Sequence, residues 1–168
     1  MIIWIIVIVA VAALDQLTKI LIINSYALGE SHEIIPGLFN FHYIQNKGAA
    51  WGMLSDSRWV FIVITAILLV VLPVLLYKFR KVHVMFSLSL SLVIGGALGN
   101  MIDRVFLGYV TDFIEAAFIN FPVFNFADSC VTVGAVMMAV YLIFIDKTLF
   151  SDKKNKTGEE QNDDKSDE

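Results

Sequence analysis

Two aspartates, Asp112 and Asp128, stand in dense motifs, Val110-Thr111-Asp112-Phe113 and Phe124-Asn125-Phe126-Ala127-Asp128-Ser129, within sequence apolar enough to be membrane. An ionised aspartate at the centre of a lipid-facing helix costs roughly 3 kcal/mol on insertion scales. A chain that keeps two has a use for them. Paired carboxylates sharing one proton are a known device for activating water. The spacing alone does not bring the two together, and each also has a plainer reading. Asp128 opens a helix, where the backbone dipole favours an acid, and Asp112 can be an ordinary acid of an interfacial loop.

Other polar residues gather around these motifs. Asp15 and Lys19 are four residues apart on one helix face, acid before base, so they read first as an ion pair that neutralises itself and fixes helix packing. Gly95-Gly96-Ala97-Leu98-Gly99-Asn100-Met101-Ile102-Asp103-Arg104 combines a G-x-x-x-G face for close helix contact with Asn100 and Arg104, again four apart. This end reads either as a helix seam closed by a snorkelling arginine or, preferably, as a polar wall beside the carboxylates, with Arg104 able to fork onto a carboxylate or a carbonyl. Ser129, Cys130 and the histidines His32, His42 and His83 raise a nucleophile alternative, but no G-x-S-x-G elbow is present. A single cysteine and no H-E-x-x-H leave no zinc spacing, so neither metal nor cofactor is expected.

These residues need elements to position them. The chain has 168 residues and is 58% hydrophobic, above the roughly 45–50% of soluble domains, which indicates an integral membrane protein. Its net charge of −4 is mostly the tail: residues 151–168 hold four basic and seven acidic side chains, leaving eight and nine for the rest. No basic face suggests nucleic acid. A crossing helix needs about 20 mostly apolar residues, and four segments qualify: 2–23, 59–77 with Pro73 as a kink or end, 84–102 and 127–145. Residues 1–14 are apolar and Ala10-Val11-Ala12 mimics a signal-peptide cleavage site, but no basic region precedes them and apolar sequence resumes after Lys19, so they read as a retained first span.

Lys78, Arg80 and Lys81 crowd the second connection, and Lys147, Lys153, Lys154 and Lys156 follow the last span. The positive-inside rule therefore places both termini in the cytoplasm and the first and third connections outside. Asp15, Lys19, Asp103, Arg104, Asp112 and Asp128 then share one depth near the outer surface. In the first connection, Leu38-Phe39-Asn40-Phe41-His42-Tyr43-Ile44 alternates in part, with Phe39, Phe41 and Tyr43 on one side, which predicts a strand after a turn at Pro36-Gly37. The expected fold class is an all-α membrane protein with four transmembrane helices and a small strand-rich extracytoplasmic cap over about residues 25–58. Residues 148–168 are expected to be a disordered, charged cytoplasmic tail.

Five blocks, Asp15-Gln16-Leu17-Thr18-Lys19, Asn46-Lys47-Gly48-Ala49-Ala50-Trp51-Gly52, the Gly95–Arg104 run, Val110-Thr111-Asp112-Phe113 and Phe124-Asn125-Phe126-Ala127-Asp128-Ser129, in that order against four spans, resemble bacterial lipoprotein signal peptidase (signal peptidase II). The resemblance covers residues 1–147 as one transmembrane domain. It implies a metal-free aspartic endopeptidase of the bacterial plasma (inner) membrane, active near the outer face, that cuts a diacylglyceryl-modified prolipoprotein before its lipidated cysteine and is a target of globomycin. It puts the catalytic pair at Asp112 and Asp128 and site-supporting roles at Asp15, Asn46, Asn100, Arg104 and Asn125; Lys19, Gly48 and Asp103 join them as neighbours in the same blocks. Trp51 stands where the family often has Phe, and Cys130 falls at a variable place. The implied partners are the lipid-modified substrate and membrane lipids, without nucleic acid, for a protein expected to be a monomer.

Two other classes are compatible with intramembrane charge. A transporter or proton pathway needs acids at several depths, yet the second span is uncharged between Trp59 and Tyr77 and the third before Asp103. A non-catalytic scaffold would bind another helix on the Gly95/Gly99 face.

Overall fold

In a computed structural model, residues 1–48 and 58–146 are described. The Ala49-Ala50-Trp51-Gly52 block and the charged tail lie outside the described residues. The element order is α1 (Ile2–Ser25), β1 (Ser31–Ile35), β2 (Phe39–Asn46), α2 (Arg58–Phe79), α3 (Val84–Phe106), β3 (Val110–Ala116) and α4 (Phe126–Val140), which continues as a π-helical turn over Tyr141–Ile145. Four helices are long and apolar enough to cross a membrane. Pro73 does not end α2, which runs on to Phe79.

α3 is the central helix. Half of its most apolar 18-residue window is buried, against 6% for α2, and it packs on α1, α2 and α4. Small residues make this possible. A Cβ on Gly95 would sit 2.7 Å from Val11 Cβ, and one on Gly99 would collide with the Asp15 carboxylate. On the adjacent face, a Cβ on Gly96 would meet the Ala127 carbonyl oxygen at 2.5 Å and Val131 Cγ2 at 2.8 Å. The G-x-x-x-G face is thus filled by α1 of the same chain, so it is not open to the foreign helix that a scaffold would bind there. Lower in the bundle, Leu76, Leu90 and Ile94 form a buried apolar cluster flanked by Trp4, Ile8 and Met138.

The three strands form one antiparallel sheet in the order β1-β2-β3. The fold is therefore four helices plus a sheet rather than all-α. The expected strand around residues 38–44 is β2, and the Pro36-Gly37 turn connects it to β1. The sheet is not confined to the first connection: β3 comes from the third, and pairs Ile44 with Asp112 and Asn46 with Val110. β3 lacks an alternating pattern because Val110, Thr111, Asp112 and Phe113 are all buried, so both of its faces are covered. Tyr43 and Phe113 pack with Ile22 where the sheet meets the end of α1. That contact brings one edge of the sheet to the polar ends of α1 and α3.

Candidate active site

α4 begins with a reciprocal cap. Asn125 Oδ1 accepts from the Asp128 N–H at 2.9 Å, and Asp128 Oδ2 accepts from the Asn125 N–H at 3.1 Å. The sequence Asn125-Phe126-Ala127-Asp128 encodes this directly, because the acid three residues past the cap can reach back to the cap's own N–H. The next free amide of the first turn, Ala127 N–H, donates to Asp15 Oδ1 at 3.0 Å. A residue more than a hundred positions away thereby completes the helix start.

The Asn125 side chain faces two ways. Its Nδ2 donates to Asp112 Oδ1 at 2.6 Å and to Asn100 Oδ1 at 3.0 Å, using both amide hydrogens. Asn100 in turn donates from Nδ2 to Asp128 Oδ1 at 2.7 Å, and its Oδ1 also accepts from Lys19 Nζ at 2.9 Å. The Asn100 amide can stand only one way round: an ammonium has only protons to give, so the oxygen must face Lys19 and the NH₂ must face Asp128. Asn46 donates to Asp112 Oδ2 at 2.9 Å while its Oδ1 accepts the Gly48 N–H at 2.9 Å. Each of the four carboxylate oxygens of Asp112 and Asp128 thus receives one N–H, and Asn125 touches both acids.

Beneath this pair lies a charged layer. Lys19 Nζ is 2.8 Å from Asp15 and 3.1 Å from Asp103, and all three are buried. Asp103 also accepts the Thr111 N–H at 2.9 Å, which pins the start of β3 one residue before Asp112. Gln16 donates to Asp103 at 2.9 Å and to the Gly99 carbonyl at 3.1 Å. The ion pair expected between Asp15 and Lys19 is therefore one side of a wider network joining α1, α3, β3 and α4. Removing a charge from such a layer leaves its partners unpaired in a low-dielectric interior.

Asp112 and Asp128 line one cavity of about 430 Å³, together with Asn46, Gly48 and Arg104. The rest of the wall comes from the Phe121–Phe124 stretch and from Ser129, Thr132 and Val133 on α4. Asp15, Lys19, Asn100, Asp103 and Asn125 do not line it and act from behind. Arg104 does not fork onto a carboxylate among the described residues. It donates to the Asn100 carbonyl at 3.4 Å, and its guanidinium lies 5.1 Å from the Phe61 ring centroid.

Asp112 is held at an unusual poise. Burial first, then the negative charge of Asp128, push its carboxyl up from the usual 3.8 to about 7, against the opposing pull of the Asn46 and Asn125 amides and of the Lys19 charge. A carboxyl that keeps its proton near neutrality beside a second acid is suited to proton transfer.

The serine–histidine alternative finds no geometry among the described residues. Ser129 gives its proton to the Asn125 carbonyl at 3.1 Å, His42 pairs with Glu115 at 3.2 Å, and His83 caps α3 by accepting from Met85 N–H.

A family model described as signal peptidase (SPase) II matches residues 7–144. The chain belongs to the signal peptidase II family. It is thus a membrane peptidase by descent, as the five sequence blocks led one to expect. It is 44% identical over 145 residues to a lipoprotein signal peptidase of Enterococcus faecalis, covering 86% of this chain and 88% of that one. A lipoprotein signal peptidase of Lactiplantibacillus plantarum is 43% identical over 138 residues, covering 82% and 92%. A solved structure described as a bacterial membrane enzyme, at 2.3 Å resolution, superposes with a TM-score of 0.77 at 39% identity, covering 83% of this chain and 87% of that one. A second, at 1.9 Å, gives 0.75 at 39% identity.

Two contributions to this candidate site are not legible from residue type alone. Gln16 lies between two residues that were singled out, and a lone amide in an apolar span was signal enough to include it. Apart from Phe124, which stands in the Asn125 motif, the Phe121–Phe124 wall carries no sign, because apolar residues in a connection look alike whether they line a cavity or face lipid.

Proposed function

We propose that this protein is an aspartic endopeptidase that removes signal peptides from diacylglyceryl-modified prolipoproteins, cutting before the lipidated cysteine. The observation that carries this reading is the convergence of Asp112 and Asp128 on one cavity, with Asn125 bonded to both. The family and the relatives' names support the substrate class.

In the proposed reaction the ionised partner of the pair takes a proton from water, and the resulting hydroxide attacks the scissile carbonyl carbon. The protonated partner donates a hydrogen bond to the carbonyl oxygen. Collapse of the tetrahedral adduct breaks the C–N bond, and the leaving amine takes a proton from the pair. The two carboxyls titrate as a unit, so the proton belongs to the pair rather than to one residue. Asn46, Asn100 and Asn125 hold the carboxylates in register. The Arg104 guanidinium offers positive charge to the cavity, and the buried Asp15–Lys19–Asp103 layer fixes the elements that carry both acids.

The charge distribution of the connections supports cytoplasmic termini and an outer-face site in the bacterial plasma membrane, with the sheet as an extracytoplasmic cap. Residues 1–147 form the peptidase domain in this reading, residues 148–168 a tail dispensable for cleavage, and the enzyme works as a monomer and is sensitive to globomycin. Substrate enters sideways from lipid while its acyl chains remain in the bilayer.

The test uses purified protein and a lipid-modified prolipoprotein. Asp112→Asn and Asp128→Asn each lower cleavage by roughly a thousandfold or more while the protein stays folded, on the scale of lost triad members, and EDTA leaves the wild-type rate unchanged. Near wild-type turnover in either variant removes the acid pair as the catalytic device, and inactivation by the chelator replaces it with a metal.

A further inference from the structure

The cavity continues from the acid pair down one face of α4. Asp128 and Ser129 stand at the top of that face, with Thr132 and Val133 one turn below. Further along the same face come Val136 and Val140, both exposed. Thr132 is therefore the last hydrogen-bonding group on this face before the helix becomes wholly apolar. It lies about 6 Å deeper along the axis than Asp128, at about 1.5 Å rise per residue.

Its hydroxyl also has no partner among the described residues, like those of Thr65 on α2 and Thr111 on β3. Ser89, Ser91 and Ser129 give their protons to backbone carbonyls at 2.8, 2.7 and 3.1 Å, the common fate of a hydroxyl on a spanning helix. The Thr132 hydroxyl makes no hydrogen bond among the described residues. Thr132 is exposed on the cavity wall, so its hydroxyl is open to an acceptor brought by the ligand.

Resting on the proposed substrate class, we propose that Thr132 donates a hydrogen bond to an ester carbonyl of the substrate's diacylglyceryl group, and so selects acyl-ester lipid over lipid without that carbonyl. When the scissile carbonyl sits at the acid pair, the modified cysteine follows it directly. The glycerol hangs from that cysteine's sulfur and points its chains towards lipid. Its ester carbonyls then fall a short distance deeper than the cut, at the level of one helical turn, where Thr132 stands. The chains beyond meet the exposed Val133, Val136 and Val140, which suit hydrocarbon. The signal peptide's own amide carbonyls are the rival acceptors, but in a helical signal sequence these are already engaged within the helix.

The experiment compares two substrates with one peptide sequence, one carrying diacylglyceryl and the other the dialkyl-ether analogue, whose chains match but whose carbonyls are absent. Full-length wild type, Thr132→Val and Thr132→Ser are assayed on both in the same detergent. Wild type prefers the ester substrate by roughly three- to tenfold in kcat/KM, the size of one neutral hydrogen bond. The preference resides in KM, falls to near one in Thr132→Val, and returns in Thr132→Ser. The ratio is taken within each variant, so a general loss of folded enzyme cancels. An unchanged ratio in Thr132→Val overturns the proposal, and so does an equal loss on both substrates, which assigns the hydroxyl to the peptide. Failure of wild type to cleave either substrate instead overturns the proposed function itself.

Discussion

Replacing Asp112 with asparagine has a consequence for stability opposite to its consequence for activity. Folded Asp112 holds its proton up to about 7, whereas an ordinary aspartate loses it near 3.8. Between those values the folded state binds the extra proton, so stability falls as pH rises, and the penalty is complete above about 7. The displacement corresponds to roughly 4 kcal/mol. Asparagine does not titrate and so escapes this penalty. It presents one acceptor oxygen, however, where Asn46 and Asn125 both donate, and the stranded N–H costs about 1–3 kcal/mol. The net expectation is that Asp112→Asn is more stable than wild type by roughly 1–3 kcal/mol at about pH 8, or several degrees in Tm for a chain of this size. Near pH 4 the order reverses, because wild type is then protonated too and only the cost of the stranded N–H remains. Thermal unfolding in detergent, followed by tryptophan fluorescence across pH, measures this. An asparagine variant that melts at or below wild type at pH 8, with a difference that does not change with pH, would falsify the argument that Asp112 is held against its own charge.

The remaining expectations concern the same layer. Lys19→Met leaves Asp15 and Asp103 buried without their cation and destabilises by about 3–5 kcal/mol; unfolding at the wild-type temperature would remove the claim that this ammonium holds the layer. Gly99→Ala drives a methyl into the Asp15 carboxylate, whereas Gly29→Ala meets nothing within 4 Å and bears only the strain of φ +83°. The first should abolish folded, active protein and the second should cost about 1 kcal/mol, a contrast read from Tm and cleavage together. In the proposed mechanism kcat/KM declines as pH rises beyond about 7, since the pair then loses the proton it needs. A rate still climbing at pH 9 contradicts that assignment.

Much of this protein was written in local sequence. The four spans need only length and apolarity, properties each segment carries by itself. The Asn125–Asp128 cap is equally local, since helix geometry returns the fourth residue to the first. The strand around Phe39, Phe41 and Tyr43 could be read because its aromatic residues alternate with the polar Asn40 and His42. β3 could not, since burial on both faces erases the alternation that marks a strand.

What the tertiary structure decided is which polar groups meet. Nothing in the spacing of Asp15 and Ala127, Lys19 and Asn100, or Asn46 and Asp112 predicts their hydrogen bonds. The first two exist because Gly95, Gly96 and Gly99 let α1 and α4 approach α3 closely enough for short side chains to touch, and the third because β2 pairs with β3. Sequence determined the residue types, since burying charge is too unfavourable to persist without a use. The packing of one glycine-rich helix between two others determined their geometry, because a hydrogen bond a few ångströms long depends on backbone separation, which no single segment encodes.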